Sequence, residues 1–255
     1  GRNGSGKSTL MKVMAGLVYA SYQPMVPGRA VFDGVAVRQG TNALNLGWDQ
    51  DDWGYQSVDS PRLAGTAGTI GEDLWICGSG PNPTNATGPD GLTILGRNWK
   101  GDGEFSIKLA ALQQTDPSSS AGITCRAGES ADAAHVSMVF SPGAGLSLVS
   151  RTALAGATNE TLASWTEAAL PLWLSLSRQG GAITASWSSN GVDCTSADPV
   201  SSGLPEAVRI GPFAASTRDT RLTAALFQGA LEITGPDMDQ DGLPDAWETQ
   251  WRSEE

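Results

Sequence analysis

The sequence predicts a mainly β protein: two antiparallel sheets packed face to face in a jelly-roll manner, with a short α/β fragment in front and a short helix behind. Apolar and polar residues alternate with a period of two over several separate stretches, the pattern of strands with one buried face. The 255 residues include 32 Gly and only 17% charged side chains, a composition suited to many short strands joined by tight turns. Beyond about residue 53 no stretch of helical periodicity separates these strands, so consecutive strands pair antiparallel and stack as a sandwich.

Residues 1–38 differ from the rest. A glycine loop leads into a helix-like run from Ser8 to Val18 with Leu10, Val13, Met14 and Leu17 at helical spacing; after a break at Pro24 to Gly28 comes the strand-like "AVFDGVAV". This segment holds five basic side chains against one acid, so of the net charge of -11 the remainder carries -15. Residues 39–52, rich in Gly, Asn and Asp, read as a junction.

From there to residue 233 strands follow in order. Phe105, Ile107 and Leu109 alternate with Glu104, Ser106 and Lys108; Val136, Met138 and Phe140 with His135 and Ser137; Leu172, Leu174 and Leu176 with Trp173, Ser175 and Ser177. "RQGG" turns the last of these into Ile183, Ala185 and Trp187, and Asn190-Gly191 offers a further tight hairpin turn. "EAVRIGPFA" and "RLTAALFQGALEI" complete the set. The blocks from "GDGEFSIKLAALQQ" through "LPLWLSLSRQGGAITASWSSNG" to "VRIGPFAASTRDTRLTAALFQGALEI" resemble the concanavalin/laminin-G-like sandwich modules of bacterial surface and secreted proteins, over roughly Trp53 to Ile233. That resemblance implies the fold. It leaves function open, because the sandwich hosts lectins, adhesion modules, glycan-cleaving enzymes and spacers.

Residues 234–255 carry a metal-binding pattern. In "DMDQDGLPDAWE", Asp237, Asp239 and Asp241 stand at loop positions one, three and five, Gly242 gives the turn at six, Leu243 offers its carbonyl at seven, Asp245 stands at nine and Glu248 at twelve. Hard oxygen ligands converging at this spacing predict Ca2+. The loop is similar to the Asp-rich repeats of thrombospondin type 3 and dockerin-like kind, although an expected strand, not a helix, precedes it. Asp side chains capping a helix N-terminus are the plainer reading of the same residues.

The opening "GRNGSGKSTLMKVMAGL" fits the phosphate-loop spacing through Gly1, Gly6, Lys7 and Ser8 and, with "YQPMVPGRAVFDGVAV", resembles the start of an ABC transporter ATPase. The resemblance assigns the loop amides around Gly4 and Gly6, together with Lys7, Ser8 and Thr9, to phosphate and magnesium contact. It ends near Val37. No Walker B run, "LSGGQ" signature or switch histidine follows, so an inert remnant is expected, not an ATP/Mg2+ site; a nucleotide-binding fragment is the alternative.

Other chemistry is less well marked. His135, the only histidine, is expected at the surface, with no G-x-S-x-G elbow to suggest a Ser-His-Asp hydrolase. Asp73, Glu104, Glu129 and Glu160 are the acids a glycosidase would draw on, but they show no catalytic signature. Three cysteines, Cys77, Cys125 and Cys194, leave at least one thiol unpaired, with one bridge left open. Among nine tryptophans, Trp173 falls out of phase with Leu172, Leu174 and Leu176, where a sugar could stack; Trp187 and Trp165 are assigned more to the core. The acidic balance argues against nucleic acid, and no apolar run reaches the length of a membrane span. The expected function is a non-catalytic, calcium-stabilised extracellular or cell-surface module that binds a polysaccharide or surface glycan or acts as a spacer; a glycan-active enzyme is the second alternative.

Overall fold

A computed structural model describes residues 48–53, 62–70, 73–84, 89–152, 159–201, 203–229 and 233–235. In chain order the strands are β1 (Asp49–Trp53), β2 (Thr66–Ile70), β3 (Asp73–Gly78), β4 (Leu92–Lys100), β5 (Gly103–Leu112), β6 (Ser120–Arg126), β7 (His135–Ser141) and β8 (Gly145–Arg151), then β9 (Glu160–Trp165), β10 (Leu172–Gln179), β11 (Ala182–Ser188), β12 (Thr195–Ser196), β13 (Val200–Ser201), β14 (Ala207–Ala215), β15 (Thr223–Gln228) and β16 (Ile233–Thr234). They form two antiparallel sheets. One runs β1-β4-β14-β6-β7-β8-β9; the other runs β12-β11-β10-β5-β15-β3-β2, with β13 paired to β11 and β16 to β5. The predicted sandwich is the observed architecture, and among the described residues no helix interrupts it.

The period-two alternation becomes the core directly. Phe105, Ile107 and Leu109 of β5, Leu172, Leu174 and Leu176 of β10, and Ile183, Ala185 and Trp187 of β11 are buried in one cluster with Ile123 and Cys125 of β6, Met138 and Phe140 of β7, and Ile210 of β14. Trp165 packs at its edge, its ring 6.2 Å from that of Trp187. Burying each such aliphatic or aromatic side chain stabilises the fold by about 1.5–3 kcal/mol. Register is specified for the same reason: a slip of one residue along β5 would turn Glu104, Ser106 and Lys108 into this core.

The turn after β10 forms as predicted. Gln179 pairs with Ala182, and the two residues between them, Gly180 and Gly181, have φ of 57° and 87°, the mirror-image turn that suits strand twist and that only glycine adopts readily. The stretch read as a junction holds part of the sandwich. Trp48 is fully buried with its ring 5.4 Å from that of Phe105, and β1 pairs with β4 from Asp49 onward. The sequence "DQDDW" is depleted in strand formers, and β1 is an edge strand defined by its pairing with β4.

Candidate functional site

The outer face of β5, β10, β11 and β12 in the nine-stranded sheet carries polar side chains. Ser175 stands opposite both Ser106 and Ser186, and Ser186 opposite Ser196, so four hydroxyls cross β5, β10, β11 and β12 in one row. Glu104 Oε1 accepts from the hydroxyls of Ser106 and Ser175 at one end of this row. A parallel row holds Asp73, Gln228, Lys108, Trp173 and Ser188, with Gln228 donating to Asp73 at 2.9 Å.

Trp173 lies where the alternation put it, half-buried on this outer face. Lys108, its partner on β5, holds Nζ 4.8 Å from the ring centroid. On the β11 side, Gly191 has a φ of +77°, and a Cβ there would lie 3.0 Å from indole Cε2. A side chain at 191 would therefore crowd the indole, which would have to give by a few tenths of an ångström. The ring is flanked on both sides, and a cation–π contact such as that of Lys108 is worth about 0.5–1 kcal/mol at an exposed site. The Asn190-Gly191 turn itself differs from expectation: Ser188 to Thr195 is spanned by a six-residue loop. Asn190 Oδ1 accepts from the amides of Val192 and Asp193, at 2.8 and 2.9 Å, so its side chain organises a wider loop in place of a two-residue hairpin.

The outer face of the seven-stranded sheet carries a buried ionic cluster that the sequence did not announce. Asp90, fully buried, accepts from Arg126 Nη1 at 2.6 Å and from Arg151 Nη1 and Nη2 at 3.2 and 2.9 Å. Arg126 also donates to the carbonyls of Ser130 and Ala131, and Arg151 to those of Ala131 and Ala133. Ala131 packs on the outer-face apolar cluster of Leu92, Ile94, Val139, Val149, Phe213 and Ala215.

His135 belongs to this cluster, which corrects the surface position expected from its parity. It is 1% exposed, paired across the sheet with Arg126 and Arg151, and 3.8 Å from Asp90. Parity gave the correct face, but that face is covered. Its Nε2 meets Asn159 Oδ1 at 3.0 Å and its Nδ1 meets Ser137 Oγ at 2.9 Å, with Ser137 joined in turn to Thr124 at 2.6 Å. An amide oxygen only accepts, so this pattern assigns the proton to Nε2 and makes Nδ1 the acceptor. Burial, followed by the charges of Arg126 and Arg151, holds the imidazole well below the usual histidine range, so it is neutral at pH 7. Burial likewise pushes Asp51 above the usual carboxylate range although Arg209 lies 2.5 Å away.

The carboxylates considered for glycosidase work are dispersed. Asp73 and Glu104 share the nine-stranded sheet on strands separated by β15, Glu160 begins the edge strand β9, and Glu129 sits in the segment after β6. The three cysteines are free; Cys194 is exposed, while burial pushes the Cys125 thiol up to about 12. The phosphate-loop residues Gly4, Gly6, Lys7, Ser8 and Thr9 and the calcium-loop residues Asp237, Asp239, Asp241, Leu243, Asp245 and Glu248 lie outside the described residues. Among the described residues no helix is long and apolar enough to cross a membrane.

No protein-family model and no curated protein matches the sequence. Solved structures do match. A functionally unknown protein from Saccharomyces cerevisiae superposes with a TM-score of 0.56 at 14% identity, over 75% of this chain and 97% of that one, and shows the fold. The carbohydrate binding module CBM66 from Bacillus subtilis matches at a TM-score of 0.44 and 8% identity, over 72% of this chain and 96% of the module. The GH43 protein BlXynB from Bacillus licheniformis matches at 0.47 and 16%, over 66% of this chain, which spans 35% of that protein.

Proposed function

We propose that the chain is a non-catalytic extracellular or cell-surface module that binds glycan on the outer face of its nine-stranded sheet and is stabilised by calcium at Asp237 to Glu248. The observation that carries the reading is Trp173, half-buried beside a hydroxyl row and Glu104. Indole surface next to hydroxyl and carboxylate groups suits a sugar, whose apolar face stacks while its hydroxyls exchange hydrogen bonds. Stacking displaces Lys108 at a cost of about 0.5–1 kcal/mol. The non-catalytic character is supported by the dispersal of the candidate acids.

A glycan array tests the reading with wild-type protein and a Trp173→Ala variant. Binding of at least one glycan class by the wild type, weakened tenfold or more in the variant at unchanged thermal stability, is the expected outcome. Retention of full binding by the variant would remove this face from the account.

A further inference from the structure

The segment 127–134 is fastened to the outer face of the seven-stranded sheet by few kinds of contact. Arg126 and Arg151 hold the carbonyls of Ser130, Ala131 and Ala133; Asp90 donates its own amide to Ala131 at 2.9 Å; and Ala131 plugs the apolar patch around Phe213. Within the segment, Ala127 donates to Ala134 and Ala133 to Ser130. The side-chain bonds that tie the segment to the sheet come from two buried guanidiniums sharing one buried carboxylate, with the exposed Asp132 also within their field.

His135 is wedged into that arrangement. The charged groups facing it are Arg126 from β6, Arg151 from β8 and Asp90 from the segment before β4, and its polar neighbours are Asn159, Ser137 and Thr124. Asp132 of the segment feels both arginines but is exposed and bonded to Ser130. A proton on Nδ1 would force Ser137 and Thr124 to reverse their hydrogen bonds and would leave three cations around one carboxylate.

We propose that segment 127–134 is an acid-released latch: uptake of one proton by His135 opens it and bares the row of Arg126, His135 and Arg151 beneath. The sign follows from linkage. In the closed form the imidazole is neutral, whereas in the open form it meets water and takes up a proton near its ordinary value of about 6.5. Opening is therefore suppressed above that pH and rises by up to about tenfold per pH unit below it, until the closed form itself protonates.

Amide hydrogen exchange between pH 7.5 and 5, corrected for the intrinsic pH dependence of exchange, tests this on the whole chain. Protection of Ala127 and Ala133 is expected to fall by up to about tenfold per unit below pH 6.5, while amides of β5 and β10 keep theirs. His135→Gln, which retains an amide for Asn159 and Ser137, is expected to flatten the dependence. Constant protection in the wild type, loss in step with β5 and β10, or an unchanged dependence in His135→Gln would each overturn the latch. Should that variant not fold, the ring-proton resonance of the only histidine decides. Ordinary titration near 6.5 in the closed protein overturns the proposal, and its absence there supports it.

Discussion

Replacing Asp90 by Asn puts the ionic cluster to a direct test. The change is nearly isosteric and preserves an acceptor, so what it removes is the one negative charge between Arg126 and Arg151. Both guanidiniums remain almost wholly buried and keep neutral acceptors, the loop carbonyls among them, but lose the buried carboxylate that balances their charge. Breaking a buried pair by removing one partner costs roughly 3–5 kcal/mol, most of it the price of leaving the other charge uncompensated. At roughly 2–4 °C per kcal/mol for a domain of this size, the midpoint of thermal unfolding should fall by roughly 6–20 °C. Urea melts, which leave ionic strength unchanged, give the free energy itself. The double variant Asp90→Asn/Arg151→Gln should recover part of the loss, because it removes one of the two stranded cations. A loss below about 1 kcal/mol for the single variant, the range of an exposed pair, would mean that water reaches the cluster and would refute the burial argument.

Two further outcomes follow from the same structure. Lys108→Ala uncovers one side of Trp173, so glycan affinity should rise about two- to fivefold, the equivalent of about 0.5–1 kcal/mol, in affinity electrophoresis; a fall would instead make Lys108 a ligand contact. Calcium at a hundredfold excess over its dissociation constant should stabilise the protein by about 2.7 kcal/mol, seen as a rise in melting temperature that Asp241→Ala abolishes. An absent shift, or an equal one in the variant, contradicts the calcium assignment.

The fold was legible in the sequence because burial on one face leaves a period of two, and that period needs no knowledge of partners. β5, β10 and β11 show it in full, and so their faces, their hairpin at Gly180-Gly181 and the outward position of Trp173 could all be read directly. What failed depended on covering groups supplied from far away in sequence. His135 has the parity of a solvent-facing residue, yet Asn159, Asp90 and two arginines surround it. Asp90 lies 36 residues from Arg126 and 61 from Arg151, and no spacing rule joins a "PDG" turn to arginines at two strand ends. A positively charged residue ending each of the two strands that flank β7 was the one available hint. β1 was hidden for a different reason: Asp and Gln disfavour strands, and its pairing with β4 is visible only in three dimensions. Asn190 is intermediate, since its turn-forming character was evident while the loop length it organises was not.

The central claim is that the nine-stranded face receives glycan, and a hydrogen-exchange footprint measured with a soluble polysaccharide selected on the array tests it most directly. Protection should increase in β5, β10 and the loop from Ser188 to Thr195, with the seven-stranded sheet unchanged and the footprint lost in Trp173→Ala. Protection centred on β6, β7 and β8 would contradict it.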